Sequence, residues 1–266
     1  MKTRIISAFT YAPLLILALL QPFTWVWGII VLAVSIMGLY EFYKATDLLK
    51  SKPLCIMGYI SAVYFTLGHF FVYPLGLPFV LWFAGILFIL MLIFNQKITA
   101  NMIGLTLLSS AYIPYLLSYI IGIRQMNGGE FYIWLIVICA FLTDTCAYFT
   151  GVAIGKHKLC PNLSPKKTIE GAIGGTVGCG LFCMLFGLIV NKFFNQDVNF
   201  LSLFILGLIG SVSAQLGDLT ASAIKRQYGI KDYGNLIPGH GGILDRIDSI
   251  IFVAPVVYTY ITYFGI

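Results

Sequence analysis

Charge is what this sequence has least of. Only 10% of its 266 residues are charged, while 59% are hydrophobic, and the mean hydropathy is +0.93. Soluble domains carry roughly 25% charged residues, so this chain lacks the polar surface to enclose itself in water. No stretch is long and polar enough to form a separate soluble domain, which removes the usual platform for nucleic-acid binding. Histidine is scarce too: His69, His157 and His240 are scattered and make no zinc set. The six cysteines, Cys55, Cys139, Cys146, Cys160, Cys179 and Cys183, include no Cys-x-x-Cys pair. They read as small buried apolar residues. Internal repeats and low-complexity tracts are also missing.

What the chain has in quantity is long apolar runs. Each run of about 20 residues is long enough to span a bilayer as a helix. The expected fold is therefore all-α and polytopic, with about nine transmembrane helices near 5–20, 23–40, 54–72, 77–95, 102–121, 132–152, 171–190, 201–223 and 246–265. The opening "MKTRIISAFTYAPLLILALL" resembles a signal peptide, but no small-x-small cleavage site follows it, so it reads as an uncleaved first helix.

Of the sixteen Lys and Arg residues, this topology puts fourteen on the side of the N-terminus. Only Arg124 and Lys192 fall on the far side. That bias predicts a cytoplasmic N-terminus and an odd number of spans. A basic cytoplasmic face suits anionic lipid headgroups or nucleotides.

The acidic residues divide the chain. Glu41, Asp47 and Glu130 are the only ones before residue 131. Asp144, Glu170, Asp197, Asp218, Asp232, Asp245 and Asp248 follow. Ionisable groups in membrane segments are costly and are functional hypotheses by default. The expected organisation is a scaffold, lipid-contact or dimer-contact region over 1–130 and a catalytic region over 131–266, within one membrane domain.

Four patterns carry the chemistry. In "LSLFILGLIGSVSAQLGDLTASAIKRQ", Ser211, Gln215, Asp218, Ser222 and Lys225 fall on one helical stripe. Serine and glutamine alone would suggest a hydrogen-bonded helix seam. Asp218 and Lys225 suggest a polar cavity. In "AFLTDTCAYFTGVAIGKHKL", Asp144, Tyr148, Gly151 and Gly155 share a face, and the glycines favour close packing. In "LSPKKTIEGAIGGTVG", Ser164-Pro165 reads as a helix start. Lys166 and Lys167 then read either as interfacial lysines or as phosphate ligands. The pairs Gly171/Gly175 and Gly174/Gly178 read as a packing surface.

The fourth pattern is "PGHGGILDRIDS". Its glycine turn, with Gly241 and Gly242, can aim backbone N–H groups at an anion, and the helix after it offers its positive end. Asp245, Asp248 and Ser249 share a face of that helix, with Arg246 between the aspartates. Helix-start stabilisation accounts for Asp245 alone but not for Asp248. Carboxylates beside lysines and glycine turns make up what a magnesium–phosphate site needs.

Residues Ser222 to Ser249, "SAIKRQYGIKDYGNLIPGHGGILDRIDS", resemble the signature of the phosphatidate cytidylyltransferases, also called CDP-diacylglycerol synthases. Its fixed positions match at Ser222, Lys225, Arg226, Lys231, Asp232, Pro238, His240, Gly241, Gly242, Asp245, Arg246 and Asp248. "DTCAYFTG" and "LSPKKTIEGAIGG" are similar to the family as well. Before residue 140 the likeness is diffuse and amounts to hydropathy plus "YEFYK" at 40–44.

The resemblance implies transfer of CMP from CTP to phosphatidic acid, giving CDP-diacylglycerol and pyrophosphate. It implies Mg2+, a paired-metal site open to K+ as the second ion, and a homodimer in the inner membrane with its site facing the cytoplasm. It implies metal roles for Asp218, Asp245 and Asp248, and catalytic roles for these together with Lys225 and Arg226. Asp144, Lys166, Lys167, Ser222, Lys231, His240, Gly241, Gly242 and Arg246 would contact substrate. Two rival readings are an ion-coupled transporter, which usually binds nearer the bilayer midplane, and a CTP-dependent lipid-alcohol kinase. A CDP-alcohol phosphotransferase lacks its D-G-x-x-A-R signature here.

Overall fold

The computed structural model describes residues 13, 16–71, 77–194, 197–236 and 241–266. The expected first span, 5–20, lies mostly outside them, as do Pro238 and His240. Eight helices follow: α1 (Thr24–Ala45), α2 (Lys52–Phe71), α3 (Leu77–Ile93), α4 (Ala100–Gln125), α5 (Gly129–Ile154), α6 (Ile169–Phe194), α7 (Phe200–Gln227) and α8 (Leu244–Phe264). Each coincides with a predicted apolar run. Among the described residues six of them, α1 and α4 to α8, are long and apolar enough to cross a membrane. At 17 residues, α3 is only roughly 25 Å long, short of a ~30 Å hydrocarbon core. The protein is an all-α, multi-pass membrane protein in character.

One expectation fails locally. Ser164 and Pro165 do not start a helix. Ser164–Thr168 is strand β2, paired antiparallel with β1 (Lys158–Cys160) through Lys158 opposite Thr168 and Cys160 opposite Ser164. The cause lies on either side of the hairpin. Glu170 accepts the backbone N–H groups of Lys156 (3.1 Å) and His157 (3.2 Å) and meets His157 Nδ1 at 2.6 Å. The Ile169 N–H bonds the His157 carbonyl at 2.9 Å. These bonds tie 156–157 to 169–170, so the chain between them must double back. The helix cap is then Thr168, whose Oγ1 accepts the Gly171 N–H at 3.1 Å.

Two helices contain a widened turn. In α4 it covers Ala111–Tyr115 and includes Pro114, which has no N–H to give the helical ladder. In α5 it covers Ile138–Leu142, immediately before Asp144. Such π-turns shift the register of the side chains beyond them and are frequent near functional sites.

The chain forms two compact units. One comprises residues 1–122 and 232–246, the other 123–231 and 247–266. In the first unit, Leu39, Phe42 and Tyr43 of α1 are fully buried. Gly58 of α2 leaves room for the Tyr43 ring, whose hydroxyl accepts from Ser109 of α4 at 3.4 Å. In the second unit, α5 packs on α6 through small residues. A Cβ at Gly171 would lie 2.7 Å from the Ala147 carbonyl oxygen, and one at Gly175 would lie 2.8 Å from that of Thr143. The predicted glycine surface is thus a helix–helix contact. Where α6 meets α7, Gly207 faces Gly180, and a Cβ there would sit 2.7 Å from the Gly180 Cα.

Candidate active site

The polar stripe of α7 divides by depth. Its N-terminal half is a seam: Gln215 Nε2 donates to the Ala172 carbonyl (3.2 Å) and to Thr176 Oγ1 (3.1 Å), and Ser211 Oγ reaches Thr176 at 3.4 Å. One turn on, the stripe becomes charged. Asp218 forms an ion pair with Lys167 of β2, each side chain being 26% exposed. Lys225, two turns deeper along the chain, is buried.

Asp218 and Lys167 open onto a cavity of about 550 Å3 within the second unit, lined also by Asp144, Lys166, Gly171 and Gln215. Tyr148, Val152 and Leu159 give it an apolar flank. Gly151 lines it too, and a Cβ there would meet Thr168 Oγ1. Asp248 of α8 is 7% exposed, and its charged neighbours are Asp218, Lys225 and Asp144. A close approach sets that depth, because a Cβ on Gly217 of α7 would lie 2.5 Å from the Asp248 carbonyl oxygen. The second unit thus gathers three carboxylates and three lysines: Asp144, Asp218, Asp248, Lys166, Lys167 and Lys225.

Other predicted site residues fall elsewhere. Arg226 is exposed, and its Nη1 donates to the Ile230 carbonyl at 3.0 Å. Lys231 is exposed and Ser222 half-buried, and neither lines the cavity. Arg246 is exposed. Gly241, Gly242, Asp245 and Arg246 belong to the first unit. His240 lies outside the described residues.

Asp245 organises the loop before its own helix. Its Oδ2 accepts the N–H groups of Tyr233 (2.8 Å) and Gly242 (3.0 Å). Gly241 takes φ +87°, a conformation that only glycine adopts without strain. The helix start predicted to receive an anion already holds one of the protein's own. Glu41 of α1, 5% exposed, accepts the N–H of Ile243 on Oε1 (3.0 Å) and of Leu244 on Oε2 (2.8 Å). Sequence reasoning gave Glu41 no role. The available signal was an isolated carboxylate at the end of an apolar span, inside the "YEFYK" segment.

The donor set suits a hard cation. Carboxylate oxygens match magnesium, which is typically held by one or two carboxylates with water and substrate phosphate completing its shell. The carboxylates of the second unit are not closed into a cage. Among the described residues, the one group of three potential ligands within 4.8 Å of one another is Cys139, Cys179 and Cys183. Those thiols are soft donors buried where α5, α6 and α7 meet, and would not suit magnesium. Sequence spacing could not reveal that cluster, because the packing of two helices creates it.

Comparison with known proteins agrees with this chemistry. Residues 2–264 match the profile of the cytidylyltransferase family. The chain is similar to a phosphatidate cytidylyltransferase of Bacillus subtilis, 38% identical over 172 residues, covering 64% of this chain and 62% of the relative. It is similar to one of Staphylococcus haemolyticus, 42% identical over 149 residues, covering 56% of this chain and 55% of that one. The similarity to a phosphatidate cytidylyltransferase of Thermotoga maritima runs over 260 residues at 30% identity, covering 97% and 95%. The chain thus spans less than two thirds of the first two relatives it matches and nearly all of the third.

Proposed function

Because this chain belongs to the cytidylyltransferase family, we propose that it transfers CMP from CTP to phosphatidic acid, giving CDP-diacylglycerol and pyrophosphate. The observation that carries the reading is the cavity at the Lys167–Asp218 ion pair. It brings lysines and carboxylates together beside an apolar flank, as a charged headgroup on a greasy tail requires.

A phosphate oxygen of phosphatidate attacks the α-phosphorus of CTP, the bond from that phosphorus to the β-phosphate bridge breaks, and pyrophosphate leaves. The nucleophile is already anionic near neutral pH, so no strong base is needed. The obstacle is repulsion. Two unit charges about 4 Å apart cost roughly 4 kcal/mol at an effective dielectric of 20, and several meet here. Lys166, Lys167 and Lys225 neutralise phosphate charge and hold the two reactants in line. Arg226 and Lys231, at the end of α7 and just beyond it, extend the basic surface toward the leaving group. Asp218, Asp245 and Asp248 are the residues we assign to holding Mg2+, and K+ is the proposed second ion. When bound, the metal supplies the Lewis acidity that offsets charge on the phosphoryl oxygens. Asp144 is assigned to the polar wall facing substrate.

The proposed setting is the bacterial inner membrane, crossed by about nine helices, with the site facing the cytoplasm and the protein acting as a homodimer. The distribution of Lys and Arg supports the orientation. CTP is a water-soluble reactant and phosphatidate a bilayer one, so a site at the cytoplasmic rim serves both.

Purified protein in mixed micelles should release pyrophosphate from CTP in a manner dependent on both phosphatidate and Mg2+. Consumption of CTP with a lipid alcohol, and none with phosphatidate, would instead identify a lipid kinase.

A further inference from the structure

We propose that Glu41 is a positioning residue for the reaction: a resident anion that fixes the start of α8 and so sets the direction in which Asp245 and Asp248 leave it. Three observations within the first unit carry this. Both carboxylate oxygens of Glu41 are engaged, one with the N–H of Ile243 and the other with the N–H of Leu244. These two successive donors stand at the beginning of a helix of 21 residues, where N–H groups have no helical partner and a negative charge is favoured. Glu41 is buried, so its charge meets little competition from solvent.

The second observation is a space kept for it. Added Cβ atoms at Gly234 and at Gly242 would each collide with the Glu41 carboxylate. These two glycines lie eight positions apart in the chain, and both abut this one side chain. The second glycine of the Gly-Gly pair is explained in this way, by contact with a residue some 200 positions earlier in the chain. The third observation is the link to the reacting region. Gly242, whose flank rests on Glu41, also donates its N–H to Asp245 Oδ2. Asp245 thus holds the N–H of Gly242 and Glu41 those of Ile243 and Leu244, so the two carboxylates secure three successive residues. Rotation or fraying of the first turn of α8 would move Asp245 directly, and Asp248 one turn later.

A carboxylate that served only to stabilise the fold would not need this placement. Removing it would lower thermal stability and activity together and leave the response to magnesium unchanged. A positioning role predicts something different, since the first two turns of α8 carry two of the carboxylates assigned to the metal. That catalytic part of the inference rests on the proposed cytidylyl transfer.

The test uses the full-length protein with Glu41→Gln and Glu41→Asp. Glutamine keeps the size but must turn an NH2 group toward one of two N–H donors. Aspartate keeps the charge at shorter reach. Hydrogen exchange of the peptide covering 241–249 is expected to be at least about tenfold faster in Glu41→Gln, with peptides of α6 unchanged. Turnover should fall at least tenfold, the KM for CTP should stay within about threefold, and the Mg2+ concentration for half-activation should rise. Glu41→Asp should recover part of each. If Glu41→Gln does not fold, Glu41→Asp carries the same readouts at smaller amplitude. Unchanged exchange at 241–249, or an unchanged Mg2+ response alongside lost stability, would overturn the proposal. If the wild-type protein does not react CTP with phosphatidate, the functional reading fails, and the exchange comparison still decides whether Glu41 holds the helix start.

Discussion

Lys167, on the second strand of the hairpin, forms an ion pair with Asp218, in the middle of the α7 polar stripe. The pair joins two segments that the sequence presents as separate motifs. At 26% exposure for each side chain, it adds about 1 kcal/mol to stability at most. Its importance should therefore appear in turnover. Asp218→Asn is expected to lower turnover by about 100-fold or more, and Lys167→Met by at least about tenfold, with the melting temperature within a few degrees of wild type. A pyrophosphate-release assay beside a thermal melt in detergent checks both. Near wild-type turnover in Asp218→Asn would remove Asp218 from the site.

Asp248 is the buried member of the carboxylate group, with Asp218, Lys225 and Asp144 as charged neighbours. Asp248→Asn keeps its shape and removes one charge. The expected result is loss of turnover by about 100-fold with the helices still inserted. Magnesium titration should show that added metal does not restore the wild-type rate. Full recovery at high magnesium would make Asp248 a modulator of affinity only.

Gly217 lets α7 approach the backbone of α8 at Asp248. An added methyl would lie 2.5 Å from the Asp248 carbonyl oxygen and 3.1 Å from the Ser249 Cα, and backbone cannot turn aside as a side chain can. Gly217→Ala should cost about 1–3 kcal/mol and lower the melting temperature by several degrees. Turnover should fall further than stability does, because Asp248 moves with its helix. A melt unchanged from wild type would show that the helices part freely.

Gln215 belongs to the seam half of the stripe through its bonds to Ala172 and Thr176. Hydrogen bonds between membrane helices contribute about 0.6 kcal/mol on average and up to about 1.7. Gln215→Leu should therefore destabilise by about that amount and reduce turnover much less than Asp218→Asn. A larger loss of turnover would place Gln215 among the groups that contact substrate.

Cys160, on β1, and Cys146, within the apolar helix α5, are half-buried, whereas Cys55, Cys139, Cys179 and Cys183 are buried, so Cys160 is the half-buried thiol outside a membrane helix. A membrane-impermeant maleimide should label Cys160 in inverted inner-membrane vesicles, and a Cys160→Ser variant should lose that signal. Labelling from the periplasmic side instead would reverse the proposed orientation.

The sequence alone determined the apolar helices, their order, and the residues that bring charge to them. Apolar length and the cost of unpaired charge in a membrane are local properties, legible residue by residue. The spacing of Ser211, Gln215, Asp218 and Lys225 likewise placed them on one face before any fold was known. Pairing was decided only in three dimensions. The hairpin at 158–168 arises because Glu170 ties two distant backbone segments together, against the local helix-start signal of Ser164-Pro165. The Cys139, Cys179 and Cys183 cluster exists because two helices pack. Glu41 reaches the start of α8 from about 200 residues away because a buried helix end must have its N–H groups satisfied, and spacing along the chain does not say which side chain will do so.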